Sequence, residues 1–227
     1  MANNKYLPNG LNILFEDRDL IVVEKPSGLL TISSEREKSK TVYASLMDYV
    51  KNGQRSKNRI FVVHRLDRDT SGILIFAKSE EAKLKLQSNW DQNVKIYYAV
   101  SFGIWEKKEG IIASYLTENK AKVVYSTRDK ELGKWSETKY KVIKETAKYS
   151  LVEVQLLTGR KNQIRVHFAD KKHPIVGDKK YGLTQKERFP RMALHAHSIE
   201  FMHPFHEKLM FFRSEIPAFL KGLVGGL

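Results

Sequence analysis

Short apolar segments of the β type, each bounded by turn-forming residues, recur along nearly the whole chain and limit its fold more than any other feature. Leu20–Glu24, Ile73–Ala77 and Ile96–Phe102 have the length and the branched or aromatic residues of buried strands. Alternation around Tyr140 and Glu153 predicts half-buried strands. Helical periodicity is limited to a few short segments: Thr41–Asn52, Ser79–Trp90, Asn162–Lys171 and Pro217–Leu223.

The order of these elements favours an α+β fold over a doubly wound parallel sheet, because the strands do not alternate strictly with long helices. We expect a central, mainly antiparallel (mixed) β-sheet flanked by helices. Segments that follow one another closely, such as Ile96–Phe102, Gly110–Leu116 and Lys122–Ser126, are expected to be antiparallel neighbours. Since no low-complexity linker or repeat interrupts residues 1–227, the sequence predicts a single continuous domain.

The composition excludes several classes of site. The chain contains no cysteine, which rules out disulfides, thiolate metal sites and cysteine catalysis. No apolar run approaches the roughly 20 residues that a bilayer-spanning helix needs, and the first ten residues lack the apolar stretch of a secretory signal. These features predict a soluble cytoplasmic protein with no membrane partner.

Positive charge dominates the chain, with 40 Lys and Arg against 26 Asp and Glu, a formal net charge of +14. Such a surplus points to a polyanionic partner, with nucleic acid ahead of an anionic membrane, because Lys and Arg displace counterions from phosphates. The stretch from Arg160 to Arg191 holds ten Lys or Arg and three Asp or Glu, and the segment Lys51–Arg59 is a second candidate for phosphate contacts. Isolated lysines such as Lys83 and Lys107 are expected to be ordinary solvated residues.

One loop concentrates the groups that carry chemistry. Five of the nine residues in the segment His64-Arg65-Leu66-Asp67-Arg68-Asp69-Thr70-Ser71-Gly72 are ionisable, and the segment lies between two predicted strands. Such a loop is typical of a site at the end of a sheet. Asp67 stands among arginines, where a carboxylate can serve as nucleophile or base. For Asp69 to Gly72 we favour a structural turn, with Gly72 at positive φ.

The same loop closely resembles the signature of the RluA-type pseudouridine synthases, which isomerise uridine in RNA. Asp19–Leu29, with its Lys-Pro-Ser-Gly turn, looks like the family's opening strand, and Leu157–His167 resembles its third motif. Ile175–Asp178, Tyr181-Gly182, Leu194–Ala196 and His203-Pro204 extend the similarity to about residues 15 to 213. The resemblance implies the pseudouridine synthase fold, a single catalytic domain and an active site in a basic cleft across the sheet.

The resemblance implies catalytic roles for three side chains. Asp67 matches the essential aspartate that acts at C1′ of the target ribose, where glycosidic cleavage builds positive charge. Tyr97 matches the tyrosine that stacks on the base, while the adjacent Tyr98 is expected to be a sheet residue on the opposite face. Arg165 matches the arginine whose planar guanidinium pairs with the catalytic carboxylate, and a surface arginine is the alternative.

Further residues are implied in substrate binding. Arg65 matches a residue that helps to expel the target base from its stack. Leu194 matches an apolar residue of the uracil pocket, although a core leucine fits nearly as well. His64 and Arg160, which belong to the same motifs, are also expected to bind substrate. The family's chemistry uses no cofactor and no metal. The implied partner is structured ribosomal or transfer RNA, and no obligate protein partner is inferred, which favours a monomer.

Two features depart from the family pattern. Lys161-Asn162 stands where Thr-His is common, and Asn162 is expected to replace the histidine as a polar partner at the start of a helix. The few residues ahead of Leu14 are too short for the S4-like RNA-binding module that many relatives carry at the amino terminus. We therefore expect the catalytic domain itself to bind RNA, mainly through phosphate contacts.

Two other interpretations remain open. His195-Ala196-His197 and His203-Pro204-Phe205-His206 have spacings that a metal site could use, but no HExxH helix or compact carboxylate set accompanies them, so structural histidines are favoured. A non-catalytic RNA-binding protein would explain the charge without explaining why Asp67, Tyr97 and Arg165 occur together. Loss of product without loss of RNA affinity in an Asp67→Asn variant would distinguish a synthase from such a binder.

Overall fold

The computed structural model describes residues 6–35, 37–51, 57–182 and 188–226. The chain divides into two compact units, Met1–Asn93 with Ser198–Ser214, and Val94–His197 with Glu215–Leu227. Each unit combines antiparallel strands with short helices, so the expected α+β class is confirmed. The last residue of the first predicted helix, Asn52, lies outside the described residues.

Strands and helices follow one another in a mixed order. The strands are β1 Asn12–Glu16, β2 Leu20–Lys25, β3 Phe61–Val62, β4 Ser71–Ala77, β5 Val94–Phe102, β6 Glu109–Glu118, β7 Val124–Thr127, β8 Lys134–Glu145, β9 Tyr149–Leu156, β10 Leu194–Met202 and β11 Leu209–Arg213. The helices are α1 Val42–Lys51, α2 Glu80–Ser88, α3 Gln163–Asp170 and α4 Ala218–Leu223. A short 3-10 turn, Trp90–Gln92, follows α2.

The first unit is built around β2 and β4, which pair antiparallel with Lys25 opposite Gly72 and Leu20 opposite Ala77. Both strands are buried along nearly their whole length, which explains why they read as continuous apolar runs without alternation. β1 extends β2, β3 pairs with β4, and β11 pairs with the Ser198–Met202 part of β10. The loop with the predicted catalytic aspartate therefore ends where a rigid, buried strand begins.

In the second unit β5 pairs with β9, β9 with β8, β8 with β6 and β6 with β7, all antiparallel. The expectation that segments close in sequence are neighbours is correct for β6 and β7 and wrong for β5 and β6, because β5 lies beside β9. Alternation does predict β8: Thr138 and Tyr140 are buried, whereas Lys139 and Lys141 are exposed. Local spacing reveals which face of a strand is buried but not which distant strand pairs with it.

Each unit packs its strands against a helix. In the first, Ala82 and Leu86 of α2 pack with apolar residues of β2, β4 and β10. In the second, Ile164 and Phe168 of α3 pack with β5 and β9, together with Leu220 of α4. α3, which carries the predicted Arg165, is thus seated on the sheet by its apolar side.

Helix boundaries follow local signals. The Ser79 hydroxyl accepts from the backbone N–H of Ala82 at 3.1 Å, so the predicted cap of α2 is confirmed. α4 begins at Ala218, one residue after the proline with which it was expected to begin. Across the described residues, the helices lack the combination of length and apolarity that crossing a bilayer requires.

Candidate active site

The loop that holds Asp67, residues 64–72, is called the aspartate loop below, and backbone hydrogen bonds fix it on both sides of the aspartate. The Thr31 hydroxyl donates to Leu66 O at 2.8 Å and accepts from Leu66 N at 3.2 Å. Asp67 O accepts from Thr70 N at 3.2 Å and closes a turn, after which Gly72 adopts a φ of +113°. The predicted turn and the positive φ are confirmed, so the aspartate stands on a defined backbone.

A buried lysine at the end of β2 holds the second half of this loop. Lys25 is fully buried, and its ammonium donates three hydrogen bonds of 2.8 to 2.9 Å to the carbonyl oxygens of Pro26, Leu29 and Arg68. Burial lowers the pKa of Lys25 to about 7, although the negative charges of Asp69 and Asp67 act to raise it. Only the charged form has three donors for three carbonyls, so the charge of Lys25 and the shape of the loop are coupled.

The turn that follows Lys25 adds two more contacts to the aspartate loop. Gly28 N donates to Arg68 O at 2.9 Å, and the Ser27 hydroxyl donates to Asp69 O at 2.8 Å. Lys25, Ser27 and Gly28 are called the lysine clamp below. The clamp supplies the donors and the aspartate loop supplies the acceptors, which explains why two segments far apart in sequence form one structural unit.

Asp67 and its neighbours in the aspartate loop differ in solvent exposure. Asp67 is half-buried and Arg65 is exposed. His64 is tied to the sheet, since its Nε2 accepts from Ile75 N at 3.1 Å and its ring packs on Trp90 with 4.5 Å between centroids. His64 therefore supports β4, and its contact with substrate stays a prediction.

In the second unit, Arg165 forms a bidentate ion pair with Asp178. Nε and Nη2 of Arg165 lie 2.7 and 2.8 Å from the two carboxylate oxygens, and the guanidinium carbon lies 5.1 Å from the centroid of the Tyr181 ring. Burial raises the pKa of Asp178, but the Arg165 guanidinium and the backbone N–H groups of Tyr181 and Lys180 lower it further, so the net value is below the usual one. The pairing of Arg165 with Asp67 stays a prediction.

The turn that presents Asp178 requires glycine. Gly177 has a φ of +78°, and a Cβ atom at this position would lie 1.9 Å from Arg191 O. Asp178 Oδ1 also accepts from the backbone N–H groups of Lys180 and Tyr181 at 2.9 and 3.1 Å. The carboxylate is therefore aimed at Arg165 by the local backbone.

Two polar side chains, Gln163 and His167, anchor α3 to β8 and β6 and are called the α3 anchor below. Gln163 Nε2 donates to Glu137 O at 2.9 Å and to the Thr138 hydroxyl at 3.0 Å. The two ring nitrogens of His167 lie 2.8 Å from the Thr138 hydroxyl and 3.0 Å from the Ser114 hydroxyl. These contacts fix both the position and the rotation of the helix that carries Arg165.

His167 is neutral in this setting. The side chain is fully buried, and burial lowers the pKa of His167 to about 4, with a further contribution from the positive charge of Lys171. A neutral imidazole has one donor and one acceptor, and both of its hydroxyl neighbours can take either role. The α3 anchor therefore satisfies its buried polar groups without a net charge.

The start of α3 shows what Asn162 does at the position where the family commonly has histidine. Asn162 has a φ of +54°, a left-handed conformation that asparagine adopts more readily than most residues. Its side chain does not cap the helix; instead its Oδ1 accepts from the Tyr181 hydroxyl at 3.3 Å. Gln163 Oε1 accepts from Arg160 N at 2.9 Å, and Nε of the exposed Arg160 donates to Trp135 O at 3.3 Å.

Tyr97 and Tyr98 are adjacent in β5 and therefore point to opposite faces of the strand. The Tyr98 hydroxyl donates to Glu153 at 2.8 Å and its ring edge meets His197 at 4.8 Å, so its predicted place as a sheet residue is confirmed. Tyr97 is half-buried, and Leu194 at the start of β10 is 4% exposed within the core of the second unit. The proposed contacts of Tyr97 and Leu194 with uracil stay predictions.

In the histidine cluster of the first unit, both ring nitrogens of His203 are engaged. His203 Nε2 lies 3.0 Å from Asp17 Oδ2, and its Nδ1 accepts from the backbone N–H groups of Phe205 and His206 at 3.2 and 3.3 Å. Asp19, His203 and His206 each place one possible ligand atom within 4.8 Å of the others. A metal ion could bind His203 only by displacing one of these hydrogen bonds, which favours a structural role.

A family model described as RNA pseudouridylate synthase matches residues 19–170, a span that includes the lysine clamp, the aspartate loop and α3. The dual-specificity RNA pseudouridine synthase RluA of Vibrio cholerae is 36% identical over 216 residues, which cover 90% of this chain and 83% of that protein. The chain belongs to the RluA-type RNA pseudouridine synthases. As a member of this family, the protein is an isomerase that acts on uridine in RNA.

Other relatives also align with most of this chain. The uncharacterized RNA pseudouridine synthase YhcT of Bacillus subtilis is 37% identical over 221 residues, covering 94% of this chain and 71% of that protein. Ribosomal large subunit pseudouridine synthase C of Vibrio cholerae is 31% identical over 217 residues, which cover 92% of this chain and 67% of that protein. The structure of human RNA pseudouridylate synthase domain containing 4 aligns with a TM-score of 0.75 at 24% identity, covering 92% of this chain and 90% of that one, which supports the fold.

The structure places the predicted site residues in two groups. His64, Arg65 and Asp67 lie in the first unit, whereas Tyr97, Arg160, Arg165 and Leu194 lie in the second. Sequence reasoning assigned no role to Lys25 or Asp178. A signal for both exists in the sequence, because each is a charged residue that lies within two residues of an apolar segment and stands next to proline or glycine. Charges in such places are buried only with partners.

Proposed function

We propose that this RluA-type synthase converts specific uridines of structured ribosomal or transfer RNA into pseudouridine, with Asp67 as its nucleophile. The observation that carries the proposal is the half-buried carboxylate of Asp67 on a loop whose backbone is held by the lysine clamp, within the span that matches the family. The names of two Vibrio cholerae relatives, one dual-specificity and one for the large ribosomal subunit, support RNA substrates of these kinds.

The reaction transfers the glycosidic bond at C1′ from N1 to C5 of uracil. The Asp67 carboxylate assists departure of N1 from C1′, where positive charge develops, and the base then turns and rejoins C1′ through C5. N1 gains a proton and C5 loses one, so the product has the same atoms as the substrate. The exchange is neither an oxidation nor a reduction, which supports the proposal that no cofactor takes part.

Tyr97 and Arg165 of the second unit complete the proposed catalytic set, with the Tyr97 ring against the base and Arg165 orienting the nucleophile. The bidentate grip of Asp178 supports the role of Arg165, since it holds the guanidinium in one orientation. Asp178 is then a positioning residue, because it acts on the reaction through Arg165. The α3 anchor has the same effect on the whole helix.

Substrate binding is proposed to rest on shape and charge. Arg65, which is exposed beside Asp67, helps to evert the target nucleotide, and His64 and Leu194 border the space that the base enters. Arg160 and the other cations from residue 160 to residue 191 contact phosphates along a basic cleft, although Lys186 lies outside the described residues. We further propose that the chain acts as a single catalytic domain, as a monomer and in the cytoplasm.

The decisive experiment compares two aspartates of the same loop. RNA transcribed with tritium at C5 of uridine releases tritium only when C5 becomes bonded to C1′, so release measures the reaction directly. We expect Asp67→Asn to abolish release while RNA affinity is retained. Asp69→Asn is the matched control, since Asp69 is exposed and its backbone carbonyl, rather than its carboxylate, accepts the hydrogen bond from Ser27 of the lysine clamp.

Three outcomes would contradict the proposal. Tritium release by Asp67→Asn at the rate of the unmodified protein would remove Asp67 from the chemistry. Equal losses in both variants would indicate disruption of the loop rather than loss of a nucleophile. No release by the unmodified protein from RNA of cells that lack its gene would favour the alternative, a non-catalytic RNA-binding protein.

A further inference from the structure

A polar cavity of about 560 Å³ lies in the first unit, away from the aspartate loop. Its lining includes Lys78, which directly follows β4, whereas the aspartate loop leads into the opposite end of the same strand. The seven residues of β4 separate the two ends by about 20 Å, at about 3.3 Å per residue. The cavity is therefore distinct from the site that contains Asp67.

The cavity carries an excess of positive charge. Its one acidic side chain, Glu16, is already engaged, since Tyr49 donates to it at 2.7 Å and Lys78 lies 2.6 Å from it. Arg18 and Arg59 also line the cavity, and neither has an acidic partner among the residues that the structure describes. Both arginines are exposed, so their guanidiniums are available to an anion.

An aromatic surface lies beside these arginines. The side chains of Tyr6 and Tyr49 line the same cavity, next to the apolar Val50. The hydrogen bond to Glu16 raises the pKa of Tyr49 to about 12, so the hydroxyl stays neutral and keeps the side chain tethered to Glu16. Two exposed guanidiniums beside a tethered ring match a nucleotide, which has a phosphate for the cations and a flat base for the ring.

We propose that this cavity binds one nucleotide of the RNA strand at a distance from the target uridine, with its phosphate at Arg18 and Arg59 and its base against Tyr49. The choice of an RNA strand rests on the function proposed above. Stacked nucleotides advance about 3.4 Å each, so the length of β4 corresponds to roughly six nucleotides, and we expect the second contact about that far from the target uridine. The site gives the protein a second contact by which a long substrate is held more tightly than a short one.

The binding test uses a double variant and a control of equal charge. Arg18→Ala with Arg59→Ala removes the two exposed guanidiniums of the cavity, and Lys83→Ala with Lys107→Ala removes two positive charges elsewhere. Fluorescence anisotropy with a labelled hairpin RNA, long enough to reach both sites, measures Kd across a salt series. We expect the arginine variant to bind about fivefold or more weakly, with a salt slope lower by about 0.7 for the one lost phosphate contact, and the lysine variant to keep its slope. Equal slopes in the two variants would overturn the site.

The position and nature of the ligand are tested separately. A 4-thiouridine placed about six nucleotides from the target uridine should crosslink to Tyr49 or Tyr6 in the unmodified protein, and Tyr49→Leu should weaken binding more than Tyr49→Phe, which keeps the ring. No crosslink at these residues would overturn the placement. Displacement of the RNA by uridine 5′-monophosphate or inorganic phosphate at concentrations near the Kd of the RNA would overturn the assignment to a strand.

Failure of this site and failure of the proposed function give different results. If the unmodified protein releases tritium while the arginine and lysine variants bind RNA equally well, the second site is wrong and the enzyme assignment stands. If the unmodified protein releases none but the arginine variant alone loses affinity, the site binds RNA and the catalytic proposal fails. A hairpin too short to span both sites should not distinguish the two variants, and a difference there would also contradict the proposal.

Discussion

The aspartate loop and α3 carry the two halves of the proposed chemistry and are held in opposite ways. The aspartate loop is held through its backbone, since Arg68 O accepts from the buried ammonium of Lys25, whose other two acceptors are the carbonyl oxygens of Pro26 and Leu29. Side chains hold α3, where Asp178 grips Arg165 and the α3 anchor bonds to hydroxyls and one carbonyl. The aspartate loop is thus held through its backbone, whereas α3 is held through its side chains.

The lysine clamp and the α3 anchor also differ in how they respond to pH. The pKa of Lys25 is about 7, so its charge changes within the physiological range. The pKa of His167 is about 4 and that of Asp178 is below its usual value, so α3 keeps its charge state throughout that range. In mildly alkaline solution we expect stability to change through the lysine clamp, whose folded form loses its proton there. In mildly acidic solution we expect it to change through the α3 anchor, because only the unfolded chain gains a proton on His167.

Removal of the carboxylate that grips Arg165 should have the largest effect. Asp178→Ala leaves the guanidinium, whose side chain is 12% exposed, without its bidentate partner, and loss of one member of a buried ion pair costs about 3–5 kcal/mol. Urea unfolding followed by circular dichroism should show a loss of this size in the free energy of unfolding. Tritium release should fall as well, because Arg165 loses its orientation.

Two further variants show whether this loss reflects a buried charge. Glu118→Ala removes the more exposed pair between Lys161 and Glu118 at the start of the same helix, and should lower the free energy of unfolding far less than Asp178→Ala does. The double variant Asp178→Ala with Arg165→Ala should be more stable than Asp178→Ala alone. If the double variant is no more stable, the side chains of α3 are not held in the way described here.

The lysine clamp should produce the next largest effect, seen as a change of stability with pH. The folded pKa of Lys25, about 7, is below the unfolded value of 10.5, so the unfolded chain binds more protons between these values. The free energy of unfolding therefore rises with pH, by roughly 1.5 kcal/mol between pH 7 and pH 8.5 from this group. Lys25→Met should lose this rise, and urea unfolding of both proteins at the two pH values measures the difference. An identical rise in the variant would show that another group titrates.

The sequence predicts the fold class and most strands because burial leaves a local pattern. β8 alternates between buried and exposed residues, and β2 and β4 are unbroken apolar runs. The partner of β5 was predicted wrongly, because Tyr97 lies opposite Val154 of β9 and such a register depends on the whole unit. β1 was not predicted at all, since Asn12–Glu16 alternates over only five residues, three of them exposed.

For the site, the sequence indicates which residues matter but not what holds them. The motif around Asp67 and the register of Arg165 were recognised directly, yet Lys25 and Asp178 received no role. A hydrogen bond from Lys25 to Arg68 O joins residues 43 positions apart, and it involves a carbonyl that every residue carries. Partnerships of this kind leave no pattern along the chain and become visible only in the fold.

The smallest expected effect is a loss of stability in acid that depends on His167 of the α3 anchor. The folded pKa of His167, about 4, is below its usual value of 6.5, so the unfolded chain binds more protons between these values and stability falls as pH is lowered. Between pH 6.5 and pH 5.5 the unmodified protein should lose about 1 kcal/mol relative to His167→Gln, which keeps hydrogen-bonding groups but does not titrate.

The same pair of proteins should respond alike between pH 7 and pH 8.5, where His167 is neutral and Lys25 titrates in both. Urea unfolding at four pH values therefore separates the two anchors within one data set. If His167→Gln instead follows the unmodified protein in acid and differs from it in alkali, the buried imidazole is charged at neutral pH. The contrast between a charged clamp on the aspartate loop and a neutral anchor on α3 would then be wrong.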